Sequence, residues 1–236
     1  MTLALAAAVA NLIGALAVVR KERKSLALIE AFIAFGAGFM LAVVLLEMLP
    51  EVLRNDSRGA IYVLLGYFAV HLAQHVLVPH FHFGEETHPV SRAAGISALI
   101  GLLLHTFFDG VAIASGFLVS RPLGFLLFLA VFLHKLPEGV TMASLMLAGG
   151  QSKARALAAA STLGMATILG VLLTEWAAPL ATHGLAIAAG VTLYVAASNL
   201  VPEFQAKRGR WLPFAFFGGG LAFFVTRLLV ERLIGT

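Results

Sequence analysis

The chain is a succession of apolar runs broken by short polar stretches. Eight runs are long enough to form an element each: about 2–19, 26–53, 59–79, 93–119, 123–149, 153–175, 178–203 and 211–232. A hydrocarbon layer about 30 Å thick is crossed by roughly 20 mostly apolar residues in helical form. Each run therefore predicts one membrane-spanning helix. The breaks, such as "RKERKS", "NDSRG", "SRP" and "GGQSK", are too short for a separate soluble unit, so residues 1–236 read as one transmembrane domain. Backbone N–H and C=O groups in lipid need internal partners, which leaves helices or a closed barrel. The alternating pattern of barrel strands is missing from the runs, and the expected fold is an all-α membrane bundle of eight helices.

Composition agrees: 60% of the 236 residues are hydrophobic and 12% charged, more apolar surface than one soluble core buries. A net charge of +4 would suggest an acidic partner in a soluble chain. The Lys and Arg residues gather between the runs, however, with no aromatic-interleaved basic face, so the partner expected is the lipid bilayer and not nucleic acid. With no cysteine, disulfides and thiolate metal sites are excluded. The opening "MTLALAAAVANLIGALAVVRKERK" has its positive cluster after the apolar run, the reverse of a secretory signal, and reads as a retained first span.

An external N-terminus leaves ten Lys and Arg in the inner loops (residues 20–24, 92, 153–155 and 207–210) and five outside, Arg54, Arg58, Arg121, Arg227 and Arg232. The positive-inside bias then puts both termini outside a plasma or inner membrane. Spans two and seven echo one another without gaps, "MLAVVLLEMLPE" (40–51) against "TLYVAASNLVPE" (192–203). In an eight-span count they run in opposite directions, which predicts inverted three-helix repeats around spans four and five.

Those two central spans hold the ionisable chemistry. "HTFFDGVAIAS" (105–115) and "HKLPEGVTMAS" (134–144) share His, an acid, Gly, Val, Ala and Ser in register. Residues four apart lie on one helix face, so His105 joins Asp109 and His134 joins Glu138. Two antiparallel helices presenting these faces offer two imidazoles and two carboxylates, a ligand set for zinc, iron, manganese or nickel. Charged groups at mid-membrane are costly unless paired or hydrated, which favours a cation path over isolated burial. Pro137 removes a backbone hydrogen bond and frees a carbonyl near residues 133–134.

The motif pair "HTFFDG" and "HKLPEG" resembles the signature of the ZIP (Zrt/Irt-like) metal transporters, whose spans four and five carry His-Asn-x-x-Asp-Gly and His-Glu-x-Pro-x-Glu motifs. The resemblance covers essentially the whole chain. It implies eight helices with external termini, inverted repeats and transport of a divalent metal: zinc first, with Fe2+, Mn2+, Ni2+ and Cd2+ as other candidates. It also implies no enzymatic activity, no resident cofactor, a homodimer, and a metal-holding inner loop, here about 80–92 with His80, His82, His88, Glu85 and Glu86.

The departures from the family pattern carry information. Many relatives hold two metals, using an Asn after the span-four His, an acid or amide after the span-five His, and a Glu on span six. This chain has Thr106, Lys135 and, in "GMATILG" (164–170), Thr167 at those positions. Lys135 thus brings a fixed positive charge to where a second cation would sit, and it is expected to pair with Glu138. The expectation is a mononuclear site of His105, Asp109, His134 and Glu138. Met40 joins them as a fifth contributor, because "GAGFML" is similar to the family's "AGxML" stretch.

Weaker candidates are Glu47, Glu51 and Glu203 near span ends, read together as an outer entrance, and His71 with His75 on span three, read as a relay or accessory site. The main alternative is an intramembrane metalloprotease, which normally needs His-Glu-x-x-His on one helix. A membrane haem protein with His105 and His134 as axial ligands is a further alternative; it would leave the paired acids without a role.

Overall fold

The computed structural model describes residues 1–20, 26–55, 58–75, 92–205 and 210–234. Among these residues every regular element is helical. In chain order they are α1 (Thr2–Val19), α2 (26–55), α3 (Gly59–His75), α4 (Arg92–Val119), α5 (Arg121–Ala148), α6 (Lys153–Trp176), α7 (178–205) and α8 (Leu212–Ile234). Seven of them contain stretches long and apolar enough to cross a membrane. For α3 the described part is 17 residues, and its expected continuation to residue 79 lies outside the described residues.

Local chemistry accounts for the boundaries at the centre of the chain. Ser120 accepts a hydrogen bond from the Leu123 N–H at 3.2 Å, and Pro122 occupies the first turn of α5, where a missing N–H costs nothing. Ser152 caps α6 in the same way through the Arg155 N–H, at 3.3 Å.

Neither α2 nor α7 is uniform. Each passes through a wider π-helical turn, Val44–Met48 in α2 and Val195–Leu200 in α7. Pro50 and Pro202 explain the position. A proline ring clashes with the carbonyl four residues earlier, which here belongs to Leu46 and Ser198, inside the two π turns. Widening the helix just ahead of the proline relieves that clash. The two turns fall in register when residues 40–51 are aligned with 192–203.

The central pair is α4 and α5. Helix α1 packs on α5 and α6, α6 on α4, α2 on α8, and α3 on α7. The apolar windows of α7 and α5 are 72% and 67% buried against 17% for α8, so α8 presents most of its Phe and Leu side chains, though not Phe223, to lipid. The chain's two tryptophans, Trp176 and Trp211, are both exposed and stand at the end of α6 and just before α8, suited to opposite membrane–water interfaces. The Leu49–Asn55 end of α2 packs on Ala178–Tyr194, while Val201–Gln205 packs on Leu26–Val43. Helices α2 and α7 are therefore antiparallel.

Candidate metal centre

The glycines after the two acids set the floor of the site. A Cβ on Gly139 would collide with the backbone carbonyl of Asn11, and one on Gly110 with that of Thr167. Only glycine lets α1 lie this close to α5 beside Glu138, and α6 this close to α4 beside Asp109.

His105, Asp109, His134 and Glu138 come together, all buried, with one ligand atom from each within 4.8 Å of the others. The shortest pairings cross between helices. His105 Nε2 lies 3.0 Å from Glu138 Oε2, and His134 Nε2 lies 3.2 Å from Asp109 Oδ2. The acid on the histidine's own helix is farther: His134 Nε2 to Glu138 Oε2 is 3.9 Å. His134 Nδ1 is 3.0 Å from the Ala130 carbonyl oxygen. A carbonyl only accepts, so Nδ1 carries the proton there, and Nε2 is the ring nitrogen that faces the carboxylates. Bonds of about 2.0–2.2 Å place tetrahedral ligand atoms about 3.5 Å apart, so modest closure of this group would surround a small cation.

A cavity of about 10 Å³ adjoins the group, lined by His105, His134, Pro137 and Glu138 and, farther along, by Ile33, Val195, Leu200 and Glu203. That is room for about one water-sized particle. The proline contributes chemistry as well as a wall, because without its N–H the Leu133 carbonyl has no partner one turn on.

Lys135 is fully buried among these side chains. Its ammonium lies 2.8 Å from Glu138 Oε2, the expected pairing, and 2.7 Å from Asp109 Oδ2, a second pairing that the sequence did not suggest. Thr106 donates to Glu138 Oε1 at 3.2 Å and stands 3.4 Å from the ammonium. Thr167 is buried across the Gly110 contact, with its hydroxyl lacking a hydrogen-bond partner among the described residues.

Asn11 escaped the sequence reading. It is fully buried and donates from Nδ2 to Glu138 Oε1 at 2.8 Å. The signal was present: a lone amide within "LALAAAVANLIGALAVV" needs a polar partner in a bundle. With Thr106 and the Lys135 ammonium, at 3.1 Å, Asn11 fills Glu138 Oε1 with donors and leaves Oε2 toward His105.

The remaining candidates are dispersed. Met40 is buried in the apolar cluster of α2 with Ala37, Val43 and Val44, and from α2 it is Ile33 that lines the cavity. Glu47 pairs with Arg227 at 3.0 Å and Glu51 with Arg54 at 3.1 Å. Glu203 does not join them in one entrance. Since α2 and α7 are antiparallel, it lies at the opposite end from Glu51 and faces the cavity beside the site. The His71 and His75 rings stack at 4.5 Å, and the Tyr194 hydroxyl reaches His75 Nδ1 at 3.2 Å. This cluster is separate from the four-residue group. His80, His82 and His88 lie outside the described residues.

Comparison with known proteins points the same way. The family model described as "ZIP Zinc transporter" matches residues 82–226. The zinc transporter ZupT of Enterobacter sp. (strain 638) is 37% identical over 188 residues, covering 74% of this chain and 72% of that protein. The zinc transporter ZupT of Escherichia coli (strain SMS-3-5 / SECEC) is 31% identical over 222 residues, covering 86% and 85%.

Proposed function

The chain belongs to the ZIP zinc transporter family, and from that premise we propose that it moves a divalent transition-metal cation, zinc foremost, through a mononuclear site between α4 and α5. The ligands in this reading are His105, Asp109, His134 and Glu138. The observation that carries it is the buried convergence of two imidazoles and two carboxylates within 4.8 Å. The mixed N/O donor set suits a borderline cation. Lys135 takes the place of a second metal, supported by its contacts with both acids. Nothing favours the protease alternative: no His-Glu-x-x-His occurs in the sequence, and both acids near the histidines are engaged by Lys135.

Purified protein in proteoliposomes tests the reading. Time-dependent accumulation of radioactive zinc, without peptide cleavage or a Soret band, is the result expected. Wild-type vesicles no more permeable to zinc than protein-free ones would refute it.

Asn11 gives a finer test. Removing a partner that orients a metal ligand costs about 10–100-fold in affinity. Asn11→Ala is therefore expected to weaken zinc binding by about tenfold, read as a raised dissociation constant on purified protein, while His71→Ala leaves it unchanged. Equal affinity in Asn11→Ala and wild type would remove Asn11 from the ligand's support.

The proposed orientation puts both termini outside. A cysteine replacing Arg121, the first residue of α5, is expected to react with an impermeant thiol reagent in right-side-out vesicles. One replacing Arg23 is expected to stay shielded until the vesicles are opened. The reverse pattern would invert the topology.

A further inference from the structure

The Lys135 ammonium contacts Asp109 Oδ2 at 2.7 Å and Glu138 Oε2 at 2.8 Å. These are the same two oxygens that face His134 Nε2 and His105 Nε2, at 3.2 and 3.0 Å. A cation ligated by the four side chains and an ammonium held at these distances would compete for those oxygens and repel one another across them. We propose that Lys135 is a tethered counter-cation that the cargo displaces from Asp109 Oδ2 and Glu138 Oε2, and that returns to them after release so that the unloaded carrier can reorient. The inference rests on the transport site proposed above and concerns how that site completes its cycle.

The structure supplies the position to which the ammonium retreats. Glu138 Oε1 lies 3.1 Å from Nζ and Thr106 Oγ1 lies 3.4 Å from it, and neither atom is paired with a histidine. Yielding two oxygens while keeping these two contacts needs a shift within the side chain's own reach and no exit from the bundle. Asn11 and Thr106 hold Oε1 in place for it.

Charge explains what the device accomplishes. Counting the imidazoles as neutral ligands, two carboxylates and one ammonium leave one net negative charge when the site is unloaded, and a divalent cation turns that into one net positive charge. Without the lysine the unloaded site would carry two negative charges and the loaded site none. The cost of holding charge in a low-dielectric interior rises with the square of the charge. The lysine therefore makes the loaded and unloaded carriers similar in cost. Its loss would penalise the unloaded one selectively, and only net transport requires the unloaded carrier to cross.

Two assays on the same proteoliposomes separate the steps: net zinc uptake into zinc-free vesicles, and exchange of radioactive zinc into vesicles preloaded with zinc. For Lys135→Met, similar in length and uncharged, the ratio of net uptake to exchange is expected to fall by at least about tenfold, a small part of the penalty for a second uncompensated buried charge. Lys135→Arg, which keeps the charge, is expected to hold the ratio near wild type. Lys135→Gln serves in place of the Met variant if that variant does not reach the membrane. An unchanged ratio, whether both rates stay high or both fall together, overturns the proposal and leaves the metal site standing. A wild type that neither accumulates nor exchanges zinc overturns the transport reading itself.

Discussion

His134→Ala and His105→Ala are each expected to lower zinc affinity by more than about 100-fold and to abolish uptake, because losing even an orienting partner of a ligand costs up to that much. Protein in the membrane should remain near wild-type amounts. The His134 ring bonds to its own helix, through Nδ1 and the Ala130 carbonyl, so truncating it breaks no tie between helices other than the contact with Asp109. Asp109 keeps the Lys135 ammonium at 2.7 Å. Glu138→Ala is a less clean experiment. It would leave Asn11 and Thr106 without their acceptor and Lys135 with Asp109 as its one remaining carboxylate, and buried donors stranded in this way cost about 1–3 kcal/mol each. The histidine variants therefore isolate ligation from folding. The checks are titration calorimetry on purified protein and initial uptake rates in proteoliposomes. A wild-type rate in either variant would exclude that histidine as a ligand.

The sequence made the four-residue cluster of the candidate site legible because two helices repeat one pattern. His105 with Asp109 and His134 with Glu138 share spacing, neighbouring glycine and register, and helical periodicity alone puts each pair on one face. It could not show that the short contacts run crosswise, His105 to Glu138 and His134 to Asp109, because that depends on how two helices pack. The double engagement of Lys135 was hidden for the same reason. Asn11 stood out only by being polar in an apolar run, and its partner lies 127 residues away, beyond any local pattern. The prolines at 50 and 202 were visible, but the wider turns before them were not. A proline can kink, end or widen a helix, and the surrounding packing decides which. The grouping of Glu203 with Glu47 and Glu51 conflicted with the span count itself. All three lie near the C-terminal ends of their helices, and since α2 and α7 run antiparallel those ends lie on opposite sides of the bundle.

Lys135→Glu combined with Thr106→Asn and Thr167→Glu is expected to raise bound metal from about one to about two per chain, creating the kind of paired site in which metals sit about 3.5–4 Å apart. The three positions surround the two acids. Thr106 and Lys135 both touch Glu138, and the Thr167 carbonyl abuts Gly110, the residue after Asp109. A glutamate at 167 would start from a buried position whose present hydroxyl has no hydrogen-bond partner among the described residues. Lys135→Glu alone is expected to be damaging. It exchanges the ammonium for a third carboxylate beside Asp109 and Glu138, and uncompensated like charges in a buried site destabilise it strongly. Adding the amide and the second glutamate supplies enough ligands for a second cation to restore the balance. The protein should therefore become dependent on metal for its thermal stability where the parent is less so. Metal content by mass spectrometry, on protein lacking residues 80–88 so that the loop histidines contribute nothing, reads the outcome directly. Two metals already bound by the parent, or one bound by the triple variant with its stability unchanged by chelation, would show that Lys135 does not stand in for a second cation.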